Sequence, residues 1–344
     1  MIEIAQLSAD TEPAYRDFVA AAPAALVYHS LAYRDLLVDH LGCRAEYLVA
    51  IERGSVRGVL PLMWTGEDEA RVYNSLPFYG SHGSVLADSD EAASALIAAY
   101  DMRAVAGGTL AATMVANPFA ARRPPEPAHN LTDERISQVT ELPSAPGEEA
   151  ALMALIDSSA RRNVRKARRA GIAAAVDAGR LPAVAEIHRQ NIEAIGGRAK
   201  DASFFAAIPR HFEDGRDFEV HLALRDGAVV AGLLTFYFNG TAEYFTPAVH
   251  HEHRSDQPLA VVLIEAMAAA VRRGCRRWNW GGTWTSQDGV FRFKRKWGAQ
   301  QGRYRYFVQL NERSLLDSSP AELRERFGHF YVVPFSALRT PGGT

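Results

Sequence analysis

The sequence has few of the features that mark secreted, metal-bound or membrane-spanning proteins. Its 344 residues include two cysteines, Cys43 and Cys275, and no CxxC pair, which argues against a disulfide scaffold and against a zinc site. No run of about 18 apolar residues is present, so no transmembrane helix is predicted. Because the N-terminus also has no basic segment followed by an apolar one, we see no signal peptide and expect a cytoplasmic protein.

Motifs of several enzyme classes are missing as well. The chain contains no GxSxG, no P-loop and no HExxH motif, so it lacks the signatures of α/β-hydrolases, P-loop nucleotidases and zinc proteases. The histidines His250, His251 and His253 do not have the spacing of metal ligands, and we interpret them as part of a solvated loop. We therefore expect no metal and no resident cofactor.

The charge of the chain is nearly balanced but unevenly placed. A formal net charge of −2 argues against a protein that binds duplex DNA along its whole surface. Two runs, 161–169 and 292–305, nevertheless contain six cations each and no acid. Such runs suit a phosphate-bearing ligand or one end of an RNA, and a solvated surface is the alternative interpretation.

The same order of predicted elements occurs twice along the chain. Each half has a helix, an antiparallel meander with tight glycine turns, an alanine-rich helix and a further strand. This order matches the core of the Gcn5-related acetyltransferase (GNAT) fold. We predict an α+β fold of two tandem GNAT-like domains, 1–146 and 147–312, with mixed, mostly antiparallel sheets flanked by helices. We expect the last segment, 313–344, to dock back on the body, with peripheral membrane contact of its apolar part as an alternative.

A strongly basic helix is predicted from Ala150 to Ala170. Apolar side chains recur at helical spacing and form a buried stripe, whereas Arg161, Arg165, Arg168 and Arg169 share one face. The like charges repel one another, and no acid follows at i+3 or i+4 to relieve the repulsion. We therefore predict that an external anion completes this face, because the planar guanidinium suits phosphate or carboxylate oxygens.

The most informative segment begins at Gly281-Gly282 and ends at Gly298. A predicted strand, Arg276 to Trp280, runs into the two glycines, which permit a tight turn and the close approach of a ligand. The cations that follow alternate with aromatic side chains and cannot all lie unpaired in a dry core. We predict that this segment holds an anionic, partly aromatic ligand. A charged strand edge that prevents aggregation is the alternative.

Together, these two segments resemble motifs of the FemAB/FemX-like transferases. Residues 162–172 are similar to the basic RxIRKAxxxGV helix of that family, and residues 281–299 are similar to its fG…GvxrFKxgfG segment. Looser similarity is found at 28–30, 58–62 and 76–81. The family has two tandem GNAT-like domains, in agreement with the repeat. Its founding members transfer an amino acid from aminoacyl-tRNA to an amine of a peptidoglycan precursor.

The resemblance implies roles for individual residues. Lys294 matches the family's lysine that stabilises the reacting acyl group, and Tyr244 falls where the family places a tyrosine near the reaction centre. The predicted substrate-binding residues are Arg161, Arg165, Lys166, Tyr79, Gly282, Trp284, Arg292 and Phe293. Two features depart from the family, since Asn117-Pro118 replaces the Asp-Pro of many of its ligases and the tRNA-binding coiled-coil arm is absent. These departures leave the acceptor open.

The segment before the second alanine-rich helix helps to indicate which acyl donor the protein uses. GNAT enzymes that use acetyl-CoA hold its pyrophosphate with a glycine-bearing turn at a helix N-terminus. The equivalent stretch here, His250 to Pro258, has no glycine, contains acids and lacks one N–H at the proline. We therefore expect an aminoacyltransferase that uses aminoacyl-tRNA and an amine acceptor, such as a cell-wall precursor, a small peptide or a natural product. An acyl-CoA-dependent N-acyltransferase and a non-catalytic module that binds anions or RNA ends are the alternatives.

Overall fold

The computed structural model describes residues 1–78, 82–120, 123–144 and 148–339. Contacts within the chain define two compact units: unit 1 comprises 1–135 and 303–344, and unit 2 comprises 136–302. The predicted domain boundaries, after residues 146 and 312, each lie about ten residues further along the chain than the limits of unit 2. The division into domains therefore stays a prediction.

Unit 1 contains two sheets with flanking helices, all labelled here in chain order. Its helices are α1 (Glu12–Ala21), α2 (Leu31–Leu41), α3 (Asp90–Ala104) and α10 (Pro320–Phe327). Its strands are β1 (Glu3–Gln6), β2 (Arg44–Ala45), β3 (Leu48–Glu52), β4 (Ser55–Leu60), β5 (Met63–Thr65), β6 (Arg71–Asn74), β7 (Leu86–Ala87) and β8 (Thr109–Val115), with parts of β9 (Leu131–Glu141) and β15 (Gln300–Leu310). One sheet has the order β1-β3-β4-β7 and is antiparallel, and the other contains β15-β8-β6-β5-β2 with β6 and β8 parallel.

Unit 2 is a single sheet with helices packed on it. Its helices are α4 (Glu148–Leu155), α5 (Ser158–Arg169), α6 (Leu181–Glu193), α7 (Ala202–His211), α8 (Pro258–Arg272) and α9 (Asp288–Arg295). Its strands are β10 (Ala173–Val176), β11 (Phe218–Arg225), β12 (Ala228–Phe238), β13 (Thr241–Val249) and β14 (Arg277–Trp284), with the second part of β9. The order is β10-β11-β12-β13-β14-β9, in which β10 to β13 are antiparallel and β13 and β14 are parallel.

The local signals for turns and helix ends are confirmed. The hairpin turns at Arg53-Gly54, Asp226-Gly227 and Asn239-Gly240 have positive φ at both residues, as the two-residue hairpin loop requires. Ser30 caps α2, because its hydroxyl accepts the N–H of Tyr33 at 3.1 Å. Local chemistry of this kind needs no tertiary partner, which is why the sequence predicts it well.

The core of unit 2 centres on α8, which packs on β11, β12 and β13. Successive apolar residues of this helix are buried, including Val262, Leu263, Ile264 and Met267. Each such side chain contributes about 1.5–3 kcal/mol when it is taken out of water. The alanines of the same helix let α4 and α5 pack closely against it. This packing fixes the helix and the strands that surround the candidate site.

Three predicted elements differ from the structure. The basic helix is broken into α4 and α5, because the Asp157 side chain accepts the N–H of Ser159 and starts a new helix. The strand predicted from Arg276 to Trp280 continues through Gly281 and Gly282 to Trp284, so the turn follows Trp284 and not the glycines. The charged strand edge offered as the alternative for the segment after the glycines is instead the helix α9.

The C-terminal segment packs within unit 1. Phe330, Val332 and Val333 are buried, and the backbone of Tyr331 exchanges two hydrogen bonds with the side chain of Asn74, at 2.7 and 2.8 Å. The apolar surface on which a membrane contact was considered is therefore largely covered. Within the part of the chain that the structure describes, no helix combines the length and the apolar character needed to span a bilayer.

Candidate active site

The sheet of unit 2 opens between two neighbouring strands. The described pairing of β13 with β14 ends at Glu243 and Asn279, although β13 continues to Val249 and β14 to Trp284. Both residues of this last pair are buried, and the amide of Asn279 donates to the Glu243 carboxylate at 2.8 Å. Parallel strands that stop pairing leave backbone groups and side chains available to a ligand. The candidate site lies along these two strand ends.

Lys294 is buried on α9, with only 4% of its surface exposed. Its Nζ donates to the carbonyl oxygen of Gly282 at 3.3 Å and to the hydroxyl oxygen of Thr283 at 2.8 Å. Among the described residues no carboxylate pairs with this amine. Burial alone lowers the pKa of Lys294 from 10.5 to about 7. A lysine with such a pKa can exchange a proton near neutral pH, as groups at functional sites often do.

Thr283 and Gln138 extend the hydrogen bonds of Lys294 into the sheet. The hydroxyl of Thr283 donates to Oε1 of Gln138 at 3.0 Å, and Nε2 of Gln138 donates to the carbonyl oxygen of Phe291 at 3.1 Å. Both side chains are fully buried. The network links α9 to β14 and β9. The sequence-based prediction missed both residues, and the one available signal was that Thr283 directly follows the glycine pair.

The other residues predicted on this segment surround Lys294 in different ways. Gly282 takes part through its carbonyl oxygen, as described above. Phe293 is half-buried and packs edge-on against Trp280, with ring centroids 6.2 Å apart. Trp284 and Arg292 are exposed. Tyr79 lies outside the described residues, so its predicted role stays a prediction.

A cavity of about 510 Å³ lies beside α9 in unit 2. It is lined by Ala160, Asn163, Asn191, Tyr244, Pro247, Ala248, Val249, Arg254, Gln257, Pro258, Leu259, Ala260, Phe293, Lys296 and Trp297. Tyr244 stands against Trp280, with ring centroids 4.9 Å apart, and burial raises its pKa. Lys294 is not among the lining residues, whereas its neighbours Phe293 and Lys296 are. The cavity thus offers aromatic walls and two cations, Arg254 and Lys296, of which Lys296 lies two residues after the lysine.

The start of α8 forms one wall of this cavity. A 3₁₀ turn, His251–Asp256, leads to Gln257, whose φ is +62°, and Pro258 occupies the first turn of the helix. The N–H of Ala260 is bonded to the carbonyl oxygen of Gln257 at 2.9 Å. Fewer free N–H groups therefore point outward than at an open helix N-terminus. This geometry agrees with the predicted lack of a pyrophosphate cradle.

The cations of the run 161–169 divide into side chains with partners in the protein and side chains that face solvent. Arg161 donates to the carbonyl oxygens of Met153 and Ile156, at 3.0 and 2.5 Å, and thereby caps α4. Arg168 pairs with Glu149 at 2.7 Å and with Glu265 at 3.0 Å. No acid of α5 itself relieves the repulsion, as the sequence indicates, but at Arg168 acids from α4 and α8 do so instead of an external anion.

Arg165 and Lys166 are exposed on α5. Within the described ranges, neither forms an ion pair. Arg169 is also exposed and forms no ion pair among the described residues. These three side chains can therefore meet an external phosphate, whereas Arg161 stabilises the end of α4.

Comparisons with known proteins place the fold. Residues 158–295 match the family model described as "Acetyltransferase (GNAT) domain". The structure of FemX is similar, with a TM-score of 0.68, 15% identity, and coverage of 91% of this chain and 98% of that one. The C-terminal domain of a putative lysylphosphatidylglycerol synthetase from Agrobacterium fabrum is also similar, with a TM-score of 0.55, 13% identity, and coverage of 94% and 99%. No curated protein sequence matches the chain.

The comparisons confirm the predicted fold class. At these identities the structural likeness concerns the fold alone, while the family match covers α5 to the last residue of α9, and so includes Lys294 and Tyr244. The α+β architecture with sheets flanked by helices, and a GNAT-like domain within 158–295, is therefore established. The FemX-like resemblance that the motifs indicated is supported over most of the chain.

Proposed function

We propose that this chain, an acyltransferase with a FemX-like tandem GNAT fold, transfers an aminoacyl group from aminoacyl-tRNA to an amine acceptor. The observation that supports this most is Lys294, a buried amine that has a pKa of about 7 and two fixed hydrogen-bond acceptors. A buried lysine without a carboxylate partner lowers stability, so its presence here supports a chemical role rather than a structural one. Its place on the GNAT-matched segment ties that chemistry to acyl transfer.

The choice of donor rests on two features of unit 2. The start of α8 is closed by Gln257 and Pro258, which disfavours the pyrophosphate of coenzyme A. Arg165 and Lys166 on α5, and Arg254 and Lys296 at the cavity, offer cations suited to several successive phosphates. An RNA end carries such phosphates together with bases that can stack on aromatic side chains. The motif resemblance to FemAB/FemX-like transferases implies the same donor.

The proposed reaction is a direct displacement at the donor's ester carbonyl. The neutral acceptor amine attacks the carbonyl carbon, a C–N bond forms and the C–O bond to the ribose breaks. Lys294, as the ammonium, donates its third N–H to the leaving oxygen, and the proton lost by the attacking nitrogen restores the ammonium. A pKa near neutrality allows both steps. Stabilisation of developing charge by one such donor is typically worth about 3–4 kcal/mol of barrier.

An acyl-CoA-dependent N-acyltransferase is the second candidate. The description of the matching family, an acetyltransferase domain, favours it, and the cavity beside α8 is large enough for part of such a donor. The acceptor would again be an amine, and Lys294 would keep the same role. The non-catalytic alternative loses support, because the family match and the buried amine both concern acyl transfer.

One experiment separates these candidates. The purified protein is incubated with a small-molecule cell extract and either charged tRNA or a mixture of acyl-CoA thioesters, and new amides are sought by mass spectrometry. We expect a product with charged tRNA that disappears when the tRNA is first digested with RNase. A product that forms only with acyl-CoA would overturn the proposed donor. Salt-dependent RNA binding without any product would overturn the enzymatic proposal.

A further inference from the structure

The hydrogen bonds around Lys294 have a fixed direction. Nε2 of Gln138 donates to the Phe291 carbonyl oxygen, so Oε1 of Gln138 must face Thr283. The Thr283 hydroxyl donates its only hydrogen to that oxygen, so it can only accept a hydrogen bond from Lys294. The carbonyl oxygen of Gly282 is an acceptor as well. Both contacts of Nζ are therefore bonds that the lysine must donate.

We propose that Gln138 and Thr283 are positioning residues that hold the Lys294 amine with two N–H groups fixed and its third position without a partner among the described residues. The proposal rests on the proposed function for what the third position does. It goes beyond that function in assigning two residues, on β9 and β14, that tune the lysine without touching the reactants. In the ammonium the third position is an N–H, and in the neutral amine it is the lone pair.

The arrangement explains how one amine can both give and take a proton at the same point. If Thr283 could turn its hydrogen toward Nζ, it would bond to the lone pair of the neutral amine and leave that form unable to accept a proton. Gln138 prevents this rotation, because its amide nitrogen is engaged by Phe291 and only its oxygen is available. Full burial of both side chains protects the network from competing water.

Charged groups lie on the same elements as this network, and none of them is in ion-pair contact with the amine among the described residues. They are Asp288, Arg292 and Arg295 on α9, Lys296 directly after it, Arg277 on β14, and Asp133, Glu134, Arg135 and Glu141 on β9. The protonation of Lys294 is therefore governed by burial and by its neutral partners. A change in those partners is expected to move its pKa directly.

The test uses NMR of the full-length protein labelled with ¹³C at the lysine ε-carbon, whose chemical shift reports the protonation of each amine. The chain has four lysines, at 166, 200, 294 and 296, so the spectrum is simple. Variants Lys294→Met and Lys200→Arg assign the signals of the two amines whose pKa burial lowers, to about 7 and about 8 respectively.

Two variants change the network in opposite directions. Thr283→Val removes the acceptor of an ammonium N–H, so the pKa of Lys294 should fall by about one unit. Gln138→Glu places a carboxylate next to the Thr283 hydroxyl and should raise the pKa of Lys294. Thr283→Ser keeps the hydroxyl and should restore the wild-type titration. Thr113→Val is the matched control, because Thr113 is also fully buried and its hydroxyl donates to a backbone oxygen, that of Tyr331 in unit 1.

These outcomes decide the proposal. A fall in Thr283→Val, recovery in Thr283→Ser and no shift in Thr113→Val would support it. A wild-type titration in a folded Thr283→Val, or an equal shift in Thr113→Val, would overturn it. In transfer assays Thr283→Val should lose about 10- to 100-fold in kcat with little change in KM. The NMR result does not depend on any reaction, so a failure of the proposed function would be seen separately, as a lack of product from the wild-type protein.

Discussion

The amine of Lys294 lies 2.8 Å from the hydroxyl of Thr283, although the two residues belong to a helix and a strand that are separated in the sequence by the turn after Trp284. The strand β14 carries Thr283 past the end of its pairing with β13, and α9 then returns the lysine to the same place. Burial at this point lowers the pKa of the amine and removes it from competing solvent. The fold thus gives this lysine a low pKa through burial among neutral groups.

The first prediction concerns stability and pH. Below pH 7 the buried amine is charged in the folded protein, and its desolvation penalty is complete. From pH 7 to the unfolded value of about 10.4, the unfolded chain binds a proton that the folded chain has released, so stability rises with pH. Lys294→Met should therefore be more stable than wild type at pH 6.5, by about 1–3 kcal/mol, even though two acceptors lose a partner.

Urea unfolding at pH 6.5 and pH 9.5 measures this difference. The advantage of Lys294→Met should shrink at the higher pH, since the wild-type amine is then neutral in the folded state. A variant that is less stable than wild type at pH 6.5, or an advantage that grows with pH, would contradict the assigned pKa shift.

The second prediction concerns the exposed cations of α5. Arg165→Ala should weaken binding of an RNA acceptor-end fragment and lower the slope of log K against log salt by about one unit per lost phosphate contact. Arg189→Ala is the control, because Arg189 is also an exposed helix arginine but is paired with Glu186 and Glu193. Fluorescence anisotropy at several salt concentrations compares the two variants. Equal effects at both positions would show that α5 provides no specific phosphate contact.

The third prediction concerns the glycines that frame α9. Gly298 has a φ of +76°, and a Cβ there would approach the Leu155 side chain to 3.0 Å. Gly298→Ala should lower the free energy of unfolding by about 1–2 kcal/mol, because a left-handed backbone disfavours any side chain.

Gly289→Ala is its counterpart, since Gly289 lies in the first turn of the helix with open space around it. That variant should be more stable than wild type by about 0.5–1 kcal/mol, as measured by urea unfolding. If both variants were destabilised to the same degree, the left-handed backbone at Gly298 would not explain the loss of stability.

Features fixed by local chemistry were predictable from the sequence. The turns Asp226-Gly227 and Asn239-Gly240, the cap at Ser30 and the apolar α8 all follow from neighbouring residues. The repeated order of elements then indicated the fold. The helix α9 was missed because its cations alternate with aromatic residues, which masks the helical spacing of Phe293, Lys294 and Trp297.

The contacts between side chains inside the site could not be predicted from the sequence. Gln138 and Thr283 are 145 residues apart in sequence and meet only when β9 and β14 join one sheet. The partners of Arg168 come from two other helices, so local spacing could not reveal them. Lys294 could be chosen from its motif, but its burial could not, since a cation in a basic run is usually exposed.

The most direct measurement is single-turnover amide formation from labelled aminoacyl-tRNA, with wild-type protein and Lys294→Met compared at equal concentration after circular dichroism has shown that both are folded. We predict an RNase-sensitive amide from wild type and a rate about 10²- to 10³-fold lower in the variant. Amide formation by Lys294→Met at the wild-type rate would contradict the assignment of this lysine to the reaction.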